Sequence, residues 1–110
     1  MPYVANIEMV KLSNSHIIID KETAAALFSD AAQVNWVYYP QRKTLMVAAG
    51  ADTLFKSLHK TSGSLLKIRN EQGDRSISML ELIIDNDLDG SDRELSFKAD
   101  TEMKILSIYF

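Results

Sequence analysis

The chain has 110 residues, 46 % of them apolar and 25 % charged, with a formal net charge of -3 and no cysteine. That is the size and apolar content of a single domain closing one core; it argues against disorder and excludes disulfides and thiolate catalysis. The acidic balance argues mildly against a phosphate backbone as partner, because affinity for nucleic acid comes from clustered Lys and Arg.

Met1 to Lys11 reads as a strand pattern interrupted by polar residues rather than a signal peptide. No stretch approaches the ~20 apolar residues that a membrane span needs. With no cysteine, these features predict a cytoplasmic protein. Tyr3 to Leu12 alternates, with Ala5, Ile7 and Met9 on one face, and Ser13, Asn14 and Ser15 supply a turn. His16 to Ile19 is a short β-branched strand, and Asp20 stands as an N-cap. Glu22 to about Ala32 is expected as a helix, with Ala24, Leu27, Phe28 and Ala31 forming one apolar stripe. Val34 to Tyr39 and Thr44 to Ala48 are strands joined through Pro40 to Lys43. Trp36 and Tyr38 are expected in the core, and Tyr39 facing outward at an interface.

A connector follows at residues 51–63, with a short helix placing Leu54, Phe55 and Leu58 on one face. Then the order returns. Ser64 to Asn70 and Arg75 to Ile77 are strands around a turn at Glu71 to Asp74, and Ser78 with Glu81 predicts a capping box for a helix from Met79. Asp85 to Asp92 breaks that helix, and Glu94 to Ala99 with Met103 to Ile108 form a closing hairpin. Pairs such as Ile7 with Leu66, Ile19 with Ile77, Trp36 with Leu95 and Leu45 with Ile105 recur 58 to 60 positions apart. The fold class expected is therefore α+β. Two diverged ββαββ repeats, residues 3–49 and 64–110, form a small, mostly-β, barrel-like domain with short helices, and residues 1–110 are one domain.

Gln72 to Ser78 before the second helix and Asn14 to Asp20 before the first resemble the short strand and cap of the AbrB-type swapped-hairpin barrels. Two such units joined by a helix are similar to the MraZ arrangement. Neither cap carries the proline common in that family. Asp74 and His16 stand where its Arg would sit, with Arg75 one position later. The resemblance implies a DNA-binding regulator acting as a homo-oligomer. The acidic net charge and the missing Arg positions favour the alternative, a protein-interaction or structural module of the same fold that does not bind nucleic acid.

The candidate basic surface is Lys67, Arg69 and Arg75, on one strand face and its paired neighbour. Whether these converge with Lys11 or Lys21 separates the two readings. His16 and His59 lack a nucleophile or orienting partner at meaningful spacing, and no glycine loop for phosphates is present, so no enzyme, cofactor or catalytic residue is expected. Residues 81–94 hold six acids against one base, Arg93, which leaves the remainder at +2. Within them Asp85-Asn86-Asp87-Leu88-Asp89-Gly90 matches the first half of a calcium loop. Ser96 stands where the bidentate Glu belongs, so calcium binding is expected to be weak at best and no metal site is assigned.

Overall fold

The computed structural model describes residues 9–110. The expected strand start at Tyr3 and the positions Ala5 and Ile7 lie outside the described residues.

Ten short strands and three short helices occur among them, and the strands form two five-stranded antiparallel sheets. The first hairpin, β1 (Val10–Ser13) and β2 (His16–Ile19), turns at Asn14 and Ser15. Both turn residues have positive φ, the geometry that matches strand twist in a two-residue hairpin. Helix α1 (Lys21–Phe28) follows, then β3 (Gln33–Tyr39), a 3₁₀ turn at Pro40–Arg42, and β4 (Thr44–Ala49). Helix α2 (Thr53–Leu58) is the connector. The second part comprises β5 (Ser62–Leu65), β6 (Lys67–Ile68), β7 (Arg75–Ser78), α3 (Leu80–Asp85), β8 (Arg93–Glu94), β9 (Ser96–Asp100) and β10 (Ile105–Tyr109).

The first sheet has the order β6-β7-β2-β1-β8 and the second β5-β3-β4-β10-β9. Each sheet is thus a hairpin from early in the chain joined to one from late in the chain. The central pairs bring Ile17 opposite Ile77 and Val47 opposite Leu106. All four side chains are buried. Burying one such side chain is worth roughly 1.5–3 kcal/mol, so these seams hold the two parts of the chain together.

Two stretches expected as single strands each break at a buried leucine. At Leu66 the chain leaves the second sheet as β5 and enters the first as β6, and at Leu95 it passes from β8 to β9. The Leu66 N–H donates to Ala32 and the Leu95 N–H to Val10, so the backbone stays satisfied while it changes sheets. The strands therefore make two sheets sharing two continuous corners, and not one closed barrel. Three local expectations also change. Helix α1 stops at Phe28, because Ser29 takes a positive φ, which leaves Ala31 outside it. Strand β7 runs on through Ser78, which pairs with His16, so the cap of α3 falls on Met79 and no side chain caps that helix. In α2 only Phe55 is buried, while Leu54 and Leu58, one helical turn apart, face solvent. Among the described residues no helix is long and apolar enough to cross a membrane.

Candidate functional site

Register decides which basic side chains meet. Directly paired residues share a sheet face, and the first sheet pairs Lys67 with Ser76, Ser76 with Ile18, Ile18 with Lys11 and Lys11 with Glu94. That row lies opposite the face carrying Val10, Leu12, Ile17, Ile19 and Ile77 into the core. Lys67 and Lys11 therefore share the outer face, three strand steps or about 14 Å apart, with the buried Ser76 and Ile18 between them. Arg75 does not join them. It pairs with Ile19 and Ile68, on the core-side face, and its guanidinium donates to the carbonyls of Ala31 and of Leu66, the latter at 2.8 Å. The expectation that Arg75 reaches the face of Lys67 is corrected by the two-residue period of the strand.

Arg69 is exposed just beyond β6, in the loop that closes on Asp74. Asp74 accepts the backbone N–H of Lys21 at 3.1 Å. Gly73, at φ +94°, lies so close to the Lys21 stem that a Cβ there would approach it to 3.1 Å. Lys21 and Arg69 thus gather at the end of the sheet and not on its outer face.

The histidines take structural places. His16 Nδ1 lies 2.9 Å from the Asn14 carbonyl at the hairpin turn. His59 ends α2, stacks on Phe55 at 4.7 Å and hydrogen-bonds through Nδ1 to the Tyr39 hydroxyl. Tyr39 is accordingly engaged within the chain and also lies under the Arg42 guanidinium, 4.9 Å from the ring centre. Tyr39 lies on the face of β3 opposite the buried Val34, as its position predicts, and there it ties β3 to α2.

In the acidic segment the Asp89 carboxylate accepts the Ser91 N–H at 2.9 Å. That backbone bond, with the Ser91 hydroxyl and the nearby Arg93, holds its pKa below the ordinary aspartate value. Among the described residues no three carboxylate or imidazole groups stand close enough together to hold a metal ion.

A cleft of about 680 Å³ lies elsewhere, between the core-side face of β3 and helix α3. Trp36 and Tyr38 lie on the same face of β3 as the fully buried Val34, yet both are only half-buried, because the second sheet extends past its cover there. Trp36 Nε1 donates to Ser64 Oγ at 2.9 Å, and Tyr38 packs edge-on against Phe110 at 6.0 Å. Burial raises the pKa of the Tyr38 phenol. Leu80, Glu81 and Asp85 form the opposite wall, with Lys60 at one end. Compared with known protein families, curated proteins and solved structures, the chain matches none.

The aromatic run that supplies the floor of this cleft is visible in the sequence, but the cleft itself is not. Its signal is indirect. The run Asp85 to Gly90 stops α3 after six residues, and a helix that short cannot cover the aromatics beneath it.

Proposed function

We propose that the chain is a non-enzymatic protein-interaction module whose binding surface is the cleft between β3 and α3. The observation that carries this reading is the pairing of a half-buried aromatic floor, Trp36 and Tyr38, with apolar side chains left in solvent on α3. Leu80, which lines the cleft, is 50 % exposed, and Ile84, one helical turn further on and outside the lining, is 66 % exposed. Grouped exposed apolar residues beside a groove are what partner recognition requires, and aromatics supply most of the energy at such surfaces. The test is selection from a random peptide library. Trp36 is the only tryptophan, so its emission reports cleft occupancy directly. Selected peptides should shift that emission and lose affinity to Leu80→Asp, which places an acid at a helix start and so leaves α3 intact. A library that yields no peptide with both properties overturns the reading.

The architecture is read further as a duplicated ββαββ unit. Strand β2, His16–Ile19, matches β7, Arg75–Ser78, in length and in the start of the following helix. The turns Pro40 to Lys43 and Thr101 to Lys104 both end on a lysine of positive φ. These element bounds support a register one or two residues away from the sequence pairings, with Leu45 over Leu106 rather than Ile105.

One specific observation favours DNA binding by a homo-oligomer as the second reading, namely Lys67 and Lys11 on one outer row. A single copy offers few charges, so oligomer symmetry is part of that reading. Anisotropy titration of a mixed-sequence duplex at two salt concentrations tests it, with a slope of log affinity on log salt near -0.9 per phosphate neutralised. No binding at low salt removes it.

A further inference from the structure

The cleft is asymmetric in charge. Glu81 and Asp85 are one helical turn apart on α3, both line the cleft and both are exposed. Lys60 alone opposes them. Among the described residues the one ion pair is Arg93 with Asp89, so no basic group of these residues neutralises Glu81 or Asp85. Facing these carboxylates are the rings of Trp36 and Tyr38. An aromatic face attracts a cation through its quadrupole, and a carboxylate adds a charge-assisted hydrogen bond, most favourably to a guanidinium. An acidic partner would meet like-charge repulsion from the same wall.

We propose that the cleft receives an arginine- or lysine-bearing segment of a partner protein, its cationic side chain lying between the aromatic floor of β3 and the carboxylates of α3. This rests on the interaction-module reading and adds the chemistry of the partner. The cationic head satisfies Glu81 and Asp85, its aliphatic stem covers the Trp36 ring, and flanking apolar residues meet Leu80. Because the carboxylates lie at the rim, salt should weaken the contact.

The test titrates Trp36 emission with a short peptide of alternating arginine and alanine, and in parallel with its glutamate counterpart. The expected result is a saturable change with the arginine peptide and none with the glutamate peptide. The double variant Glu81→Gln, Asp85→Asn should bind the arginine peptide about tenfold more weakly, the loss expected when charge partners at an interface are neutralised. Its thermal midpoint should be that of the parent, since both side chains are exposed. No saturable response to the arginine peptide, equal affinity for both peptides, or full affinity in the double variant overturns the proposal. The library selection separates the two levels. Peptides that occupy the cleft but carry no basic residue end this inference and leave the interaction module standing, whereas no cleft-directed peptide at all ends both.

Discussion

Helices α1 and α3 occupy the same place in the chain order of the two parts, after a short strand and before the next, yet one is closed down and the other is not. Helix α1 has eight residues and buries Thr23, Ala24, Leu27 and Phe28. It packs against β4 and β9 of the second sheet. Its start is fixed by Asp20, whose carboxylate accepts the Thr23 N–H at 3.0 Å and the Met9 N–H at 2.8 Å. Helix α3 has six residues, buries only Leu82 and Ile83, and follows Met79 at its N-cap, which offers no side-chain cap. Cap chemistry and two residues of length thus separate a sealed cover from an open one. The candidate binding surface lies under the open one, as is expected if function draws on the part of a fold with weaker local restraint.

The comparison breaks if the caps do not differ in worth. Asp20→Ala removes an N-cap and also leaves the Met9 N–H without its acceptor, at a site 7 % exposed. A cap is worth ~1–2 kcal/mol and a lost partner for a part-buried donor about 1 kcal/mol more, so urea unfolding should show a loss of roughly 2–3 kcal/mol. Ser78→Ala should change stability by less than about 0.5 kcal/mol, because that hydroxyl caps nothing and is exposed. Equal losses in the two variants would show that α3 is capped in solution after all.

Much of this was legible in the residues, and what was not has a physical reason in each case. The strands at His16, Val34, Thr44 and Arg75 follow from β-branched and aromatic runs bounded by turns, and the Asp20 cap from its place before a helical pattern. Where one strand ended in two sheets, at Leu66 and Leu95, alternation gave no warning, because a buried leucine reads the same in a straight strand and at a corner. The Ser78 and Glu81 spacing fits a capping box, but Ser78 is already committed to pairing with His16 in the sheet, and local spacing carries no information about distant pairing. Leu54 and Leu58 look like a buried stripe, and only the packing of Phe55 reveals that they face away. The cleft was the least legible. Its residues come from β3, Lys60, β5, the end of β7 and α3, and nothing in either aromatic run or acidic run specifies that the two face each other.

Arg75 gives the smaller and sharper test, since its role depends entirely on register. A strand slipped by one residue would turn it to the outer face beside Lys67, ready for a phosphate. In the observed register its guanidinium instead ties β7 to two backbone carbonyls, Ala31 after α1 and Leu66 at the corner between the sheets. It therefore links the covered part of the molecule to the open part. Arg75→Ala leaves both part-buried carbonyls short of a donor and should cost about 1–2 kcal/mol in urea unfolding. Arg75→Lys should recover only a fraction, because both bonds leave from Nη2 at the tip of the guanidinium, which the shorter lysine side chain does not reach. Lys67→Ala, at an exposed position, should leave stability within about 0.5 kcal/mol of the parent. If duplex DNA binds at all, the order reverses in the salt titration: Lys67→Ala flattens the slope and Arg75→Ala leaves it unchanged. An Arg75→Ala protein with parental stability and a flattened slope would place Arg75 on the outer face and return the basic surface to Lys67, Arg69 and Arg75 together.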